Sequence, residues 1–329
     1  MHALVTGGNG FLGRYIVEQL IARGDQVRSL SRRPSLELQR LGVETVTGDV
    51  RDNLVTEEAC RDVDTVFHVA GAAGIWGPWQ HFFEINTQGT IHLIASAQRA
   101  GVQRFIYTSS PSVTFDGTDQ VHIDESAAYP EQWLCHYAHT KALAEQRVLA
   151  ANGQNGMLTC SLRPHLIWGP RDGHLVPRLI DRARRGRLRR IGDGSNQIDM
   201  IYVENAAAAH LQACDALAPG TAVCGQAYFL SQGEPVHCWQ WIDELLDLAG
   251  LPPVNQAISQ RAAWRIGQLM ETVYWLLRLP GEPAMTRFLA LQLSTSHYFD
   301  ISAARRDFGY TAEISTAEGM CRLKKSWTS

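Results

Sequence analysis

The chain opens on an apolar run, His2-Ala3-Leu4-Val5-Thr6, breaks at Gly7, and resumes with apolar positions three and four apart from Phe11 to Arg23. This pattern predicts a buried strand, a tight turn and an amphipathic helix. Short apolar, β-rich runs recur at Gln26–Ser31, Val43–Thr47, Asp64–Ala70, Arg104–Ser109 and Leu158–Arg163, with helical spacing between most of them. Strands that alternate with helices specify an α/β fold, a doubly wound parallel sheet covered on both faces. After Pro170 the pattern loosens into helices at Leu175–Arg185, Glu204–Ala216 and Trp239–Ala249, a strand at Ala227–Ser231 and a long apolar helix over Gln260–Leu279. The division read from this is a nucleotide-binding domain over 1–170, with returning segments near 204–233. A smaller, mostly helical substrate domain takes 171–203 and 234–329.

Composition narrows the picture. With 329 residues, 45% of them hydrophobic, the chain can bury one large core or two moderate ones. A net charge of −3 points away from nucleic acid as a partner. Seven scattered cysteines with no Cys-x-x-Cys, no leader before the first strand and no apolar run of about 18 residues suggest a reducing cytoplasm. The histidines show no metal-ligand spacing such as His-Glu-x-x-His, so no metal is expected.

Chemistry enters at Gly7-Gly8-Asn9-Gly10-Phe11-Leu12-Gly13, between the first strand and the first helix. Gly7 allows the turn, Gly10 lets backbone approach a pyrophosphate, Gly13 permits close helix packing, and the helix N-terminus offers N–H groups to the anion. A Rossmann-type dinucleotide site follows. At the end of the second strand, where NAD enzymes place an acid, stand Ser31, Arg32 and Arg33, which suit the 2′-phosphate of NADP(H); the plain alternative is solvated loop arginines. Arg14, a cation in the first turn of a helix, calls for a nearby anion, and Asp49 is a candidate for the adenine edge. Farther along, Tyr137 and Lys141 lie four apart in a helical stretch and so project from one face, about 5–6 Å apart at Cβ. A charged lysine there favours phenolate and draws the tyrosine toward neutrality, which would make it an acid/base group.

Thr6 to Gly13, Gly48-Asp49-Val50-Arg51-Asp52, His68-Val69-Ala70-Gly71, Asn86 to Thr90, Tyr107-Thr108-Ser109-Ser110, Tyr137 to Lys141 and Arg163 to Pro170 together resemble the extended short-chain dehydrogenase/reductases. Pro111 to Thr114, Ala73 to Gly77 and Leu277 to Phe299 are similar to the 3β-hydroxysteroid dehydrogenase-like branch. The resemblance implies Ser110 holding the substrate oxygen, Tyr137 as acid/base, Lys141 on the nicotinamide ribose and Asn86 in a proton relay. It also implies cofactor contacts at Val50, Ala70, Thr108, Pro164 and Leu166, beside those at the glycine loop. The implied activity is NADP(H)-dependent interconversion of a 3-oxo and a 3-hydroxy group on a large apolar substrate, with a 2-alkyl-3-oxoalkanoate ranked first. Steroid or sterol-4-carboxylate dehydrogenation, sugar-nucleotide epimerisation and a non-catalytic cofactor sensor stay open as alternatives.

The substrate pocket is expected at Ile75, Trp76, Ser112, Val113, Trp168 and Trp275. The helix carrying Trp264, Ile266, Leu269, Met270, Val273, Tyr274, Trp275, Leu276, Leu277 and Leu279 is apolar round most of its circumference and must be covered, with core packing the first expectation. A lid over the substrate or a membrane-surface contact aided by Arg265 and Arg278 are the others, alongside assembly with other enzymes of a pathway or a homodimer. The arginine run from Arg182 to Arg190 reads either as a solvated helix end or as a contact for an acidic partner.

Overall fold

The computed structural model describes residues 1–328. The first half runs β1 (His2–Thr6), α1 (Phe11–Ala22), β2 (Gln26–Ser31), α2 (Leu36–Arg40), β3 (Glu44–Thr47), α3 (Asn53–Cys60), β4 (Thr65–His68), α4 (Trp79–Phe82), a π-helical turn (Phe83–Gln88), α5 (Gly89–Ala100), β5 (Arg104–Thr108), β6 (Gln120–Ile123), α6 (His136–Ala150) and β7 (Leu158–Pro164). The second runs β8 (Ile167–Trp168), α7 (Leu175–Arg184), β9 (Arg190–Ile191), β10 (Gln197–Ile198), β11 (Ile201–Tyr202), α8 (Val203–Ala216), β12 (Ala227–Leu230), β13 (Val236–His237), α9 (Cys238–Leu248), β14 (Ala257–Ile258), α10 (Gln260–Leu276), α11 (Arg287–Gln292), β15 (His297–Phe299), α12 (Ser302–Phe308) and α13 (Thr316–Ser326).

Seven parallel strands form the main sheet in the order β12-β7-β5-β4-β1-β2-β3. Alternation along each strand divides the core. Ala3 and Val5 face α1 and α8, where Ile16, Val17, Leu20, Ala206 and Ala209 are buried, whereas Leu4 faces α3, α5 and α6 with Leu93, Ala144 and Val148. β1 pairs with β2 on one side and β4 on the other, so the strand order reverses there and the crevice between their carboxyl ends opens at the glycine loop. The six anticipated strands of this sheet after β1 lie within two positions of where the pattern placed them.

A smaller sheet, β13-β10-β15-β6, stands beside the main one. β6 carries no clear sequence signal; its partner β15 comes from near the C-terminus. A third core holds Trp168, Trp239, Trp241, Ile242 and Leu245 between α7 and α9.

The expectation of core packing for the long apolar helix is corrected. α10 stops at Leu276, and its buried residues are Ala263, Gly267 and Glu271. A Cβ on Gly267 would lie 2.5 Å from the Thr286 carbonyl carbon, so the helix rests on the backbone leading into α11 through its smallest residues. That close approach turns Ile266, Leu269, Leu276 and Trp275 outward. Glu271 tolerates burial because it accepts hydrogen bonds from the Arg287 backbone N–H (2.7 Å) and Nε (2.6 Å). No helix among the described residues is long and apolar enough to cross a membrane.

Candidate active site

The glycine loop is built for close approach. Gly7 has φ 71° and an added Cβ would sit 3.1 Å from Ala70 Cα and N; a Cβ on Gly13 would lie 2.2 Å from the Gly7 carbonyl oxygen. α1 starts after Gly10 with no side-chain cap, which leaves its first N–H groups, at Phe11, Leu12 and Gly13, free of side-chain acceptors. Asn9 ties this loop to the end of β2: its Nδ2 donates to the Arg33 carbonyl (2.8 Å) and its backbone N–H to Ser31 Oγ (3.3 Å). Arg32 and Arg33 are exposed and form no ion pair among the described residues. A cradle that a Cβ would fill, an uncapped helix end and two unpaired cations fit a nicotinamide dinucleotide.

Two neighbouring charges are accounted for internally. The anion expected beside Arg14 is supplied by Glu18 (2.7 Å) and Glu37 (3.3 Å). Both oxygens of Asp49 are held by Arg51 Nε (3.0 Å) and Nη2 (2.9 Å), which keeps this carboxyl below its ordinary range. Val50 is buried beneath them.

α6 carries Tyr137 and Lys141 on one stripe, with Glu145 one turn beyond. Ser110, two residues past the end of β5, has its hydroxyl beside the Tyr137 phenol, where it favours the ionised form, and lies 2.9 Å from Ser112 Oγ. Lys141 Nζ donates to the Thr108 carbonyl and sits 4.1 Å above the Tyr107 ring. The expectation that Lys141 draws the phenol toward neutrality is corrected here. Burial pushes Tyr137 up to about 12, outweighing the influence of the Ser110 hydroxyl, and pushes Lys141 down to about 7, with the Glu145 charge resisting that fall. The result is a phenol that keeps its proton at neutral pH, aligned with a serine hydroxyl: a proton donor for a carbonyl oxygen.

Asn86 lies in the π-helical turn, a distortion that re-aims side chains at functional sites. Its Oδ1 accepts from Ala72 N–H (2.7 Å), and its Nδ2 donates to the Ala72 carbonyl and Thr140 Oγ1 (3.2 Å each). The amide thus clamps the segment after β4 against α6. Gly71 makes room for the clamp, since a Cβ there would lie 3.2 Å from Asn86 Oδ1 and 4.0 Å from Lys141 Nζ.

Sequence reasoning missed two buried networks. Thr6 Oγ1 accepts from the N–H groups of Val69 and Ala70 (3.1 Å each), so its own proton goes to His68 Nδ1 (2.7 Å). Nε2–H of His68 then donates to Thr90 Oγ1 (2.9 Å), which donates to the Asn86 carbonyl (2.6 Å). This directed chain joins the glycine-loop strand to the Asn86 turn. Glu145, fully buried, receives Arg163 Nη2 (2.6 Å), Ser161 Oγ and Tyr129 OH (2.8 Å each). Its helical register with Lys141 was the available signal.

Of the expected pocket residues, the structure gathers some and separates others. Ile75 packs with Tyr137 against Phe115, Leu134, Phe288 and Leu291. Trp76 meets Tyr274 of α10 edge to face at 6.5 Å. Ser112 and Val113 form the turn after Ser110. Trp168 instead lies in the third core against Trp241 and Tyr202, and Trp275 is 73% exposed on the outer side of α10. Tyr274, one position earlier, is the α10 aromatic that touches Trp76, the chain neighbour of Ile75. Pro164 is buried at the end of β7, and Leu166 adopts φ 42°, a strained conformation beside the His165–His297 hydrogen bond (2.7 Å).

The comparisons with known proteins meet this geometry from outside. A model of the 3-beta hydroxysteroid dehydrogenase/isomerase family matches residues 4–258. The chain is 49% identical to the 2-alkyl-3-oxoalkanoate reductase of Stenotrophomonas maltophilia, over 99% of both chains. It is 46% identical to the 2-alkyl-3-oxoalkanoate reductase of Shewanella oneidensis, over 99% of this chain and 86% of the other. The fold is that of Thermus thermophilus UDP-glucose 4-epimerase, solved with NAD, at a TM-score of 0.75 and 23% identity over 100% and 99% of the chains. A glycine cradle at the strand-order reversal, a serine–tyrosine–lysine set on β5 and α6 and relatives named as reductases and dehydrogenases agree: the chain is an oxidoreductase of the 3-beta hydroxysteroid dehydrogenase/isomerase family, within the extended short-chain dehydrogenase/reductases.

Proposed function

We propose that this chain reduces a 2-alkyl-3-oxoalkanoate to the 2-alkyl-3-hydroxyalkanoate with NADPH. The observation that carries the reading is Tyr137, partly buried and kept protonated by desolvation, set beside the Ser110 hydroxyl and walled by Ile75, Phe115, Leu134 and Phe288. That wall suits alkyl chains and offers little to a sugar nucleotide. The glycine loop would hold the pyrophosphate, Arg32 and Arg33 the 2′-phosphate, and Lys141 the nicotinamide ribose. When bound, the dinucleotide supplies hydride to the carbonyl carbon. Ser110 donates a hydrogen bond to the carbonyl oxygen and holds it at the phenol. Tyr137 gives its proton to that oxygen as charge develops there, and Lys141 stabilises the phenolate left behind. Asn86 keeps the segment after β4 in place through both steps. The proposed division of labour gives 1–170 and 204–233 to the cofactor and the rest to the substrate. Free thiols at all seven cysteines support a reducing, cytoplasmic setting.

The test is NADPH oxidation by the purified chain against a 2-alkyl-3-oxoalkanoate, a 3-ketosteroid and a UDP-sugar. Turnover should be fastest with the alkyl acid. A preference for the steroid would transfer the assignment to the dehydrogenase branch, and turnover with none of the three would leave a cofactor sensor.

A further inference from the structure

Two features that the site does not use are joined by the tertiary structure. The first is the outward stripe of α10: Ile266, Leu269, Val273 and Leu276, three and four residues apart, are 43%, 65%, 36% and 63% exposed. The second is the arginine run of α7 and the segment after it, where residues 178 to 190 hold seven arginines and one acid, Asp181, in a chain whose net charge is −3. Tertiary structure fastens the run to α10 at both ends. Arg178 ion-pairs with Glu282, just past the end of α10, and Arg190 of β9 pairs with Ala257 of β14, three residues before α10 begins.

We infer that α10 and the arginine run together form a docking surface for an anionic lipid bilayer. The α10 stripe enters the headgroup boundary and the arginines engage lipid phosphates. Arg184, Arg187, Arg261, Arg265 and Arg278 form no ion pair among the described residues, so their charge is available to an outside anion. Apolar side chains flanked by unpaired cations are the combination that holds a helix in the plane of a membrane surface, and neither half suffices alone. A second copy of the chain fits worse, because pairing this face with itself sets arginine against arginine. If the reductase reading holds, the position is useful: Tyr274 of the same helix touches Trp76, the chain neighbour of Ile75 in the apolar cluster beside Tyr137, so an alkyl substrate held in the bilayer would meet the pocket without crossing water.

The full chain should co-sediment with vesicles of phosphatidylcholine mixed with phosphatidylglycerol, and far less with phosphatidylcholine alone or at high salt. Leu269→Glu with Leu276→Glu, and separately Arg184→Glu with Arg187→Glu, should each lower partitioning by about tenfold or more. Both pairs are exposed, and the thermal midpoint checks that they still fold. Failure to bind the anionic vesicles, or binding that survives both pairs, overturns the inference. Conversion of a dimer to a monomer by the same pairs, without vesicle binding, assigns the face to self-association and overturns it equally. The assay needs neither cofactor nor substrate, so its failure is separable from failure of the reductase reading.

Discussion

Gly13→Ala tests whether the glycine loop is set by contact with α1. A Cβ at this position would lie 2.2 Å from the Gly7 carbonyl oxygen and 2.8 Å from its carbon, both backbone atoms, where real Cβ contacts essentially never fall below 3.0 Å. Something must move by about 0.8 Å. α1 cannot easily do so, because Ile16, Val17 and Leu20 are fully buried against the sheet and α8. The loop can, since Asn9 and Gly10 are exposed. The strain therefore falls on the phosphate cradle rather than on the core. Overpacking of this kind costs about 1–3 kcal/mol, and at about 1.4 kcal/mol per tenfold the dinucleotide Kd should rise by roughly 5- to 150-fold. Titration of NADPH into the chain, followed by tryptophan fluorescence, measures this, with urea denaturation alongside to confirm a folded variant. Gly173→Ala is the control, because a Cβ there meets nothing within 4 Å. Unchanged NADPH affinity in a folded Gly13→Ala would refute the account of the loop, and a large loss of stability with normal affinity would place the strain in α1 instead.

Tyr137→Phe should leave NADPH binding intact while turnover falls by about 10²-fold or more, the scale of general acid catalysis; near-normal turnover removes the proton-donor role. Arg32→Ala with Arg33→Ala should weaken NADPH by about 1.5–3 kcal/mol, the worth of a charge-assisted hydrogen bond, and spare NADH, so equal losses for both nucleotides would dismiss the 2′-phosphate reading. Acid stability should decline below pH 6.5 because burial holds His68 to about 3, His210 to about 4 and His297 to about 4, each under its ordinary value. The unfolded chain then binds the extra protons, so stability present above pH 6.5 is lost as pH falls toward 4 and 3. Urea denaturation between pH 4 and 7 checks the slope, and His210→Gln should flatten it; a flat wild-type profile across that window counts against neutral buried histidines. Phe288→Ala should shorten the alkyl-chain preference in kcat/KM without changing NADPH affinity, because Phe288 packs in the apolar cluster beside Tyr137 and away from the glycine loop.

Local pattern was enough for much of this molecule. Gln26–Ser31 emerged as a strand with the bounds its alternation predicted, and the glycine spacing located the cradle, since both depend on residues adjacent in the chain. The Tyr137–Lys141 pairing was legible for the same reason, being a matter of helical register. What the two groups do to each other was not. Their pKa values follow from burial, and Lys141 answers to the Thr108 carbonyl and the Tyr107 ring, contributed by β5, about thirty residues earlier. The Asn86 clamp and the Thr6–His68–Thr90 chain likewise join segments far apart in sequence, so no spacing announces them. α10 marks the limit most clearly. Its hydropathy called for large side chains inside, yet Gly267 lets the helix rest on the Thr286–Arg287 backbone, and that contact alone decided that Ala263 and Gly267 face in while Leu269 and Leu276 face out. Hydrophobicity states how much surface wants cover; which face is covered depends on the shape of the neighbour, and the neighbour is set by the fold.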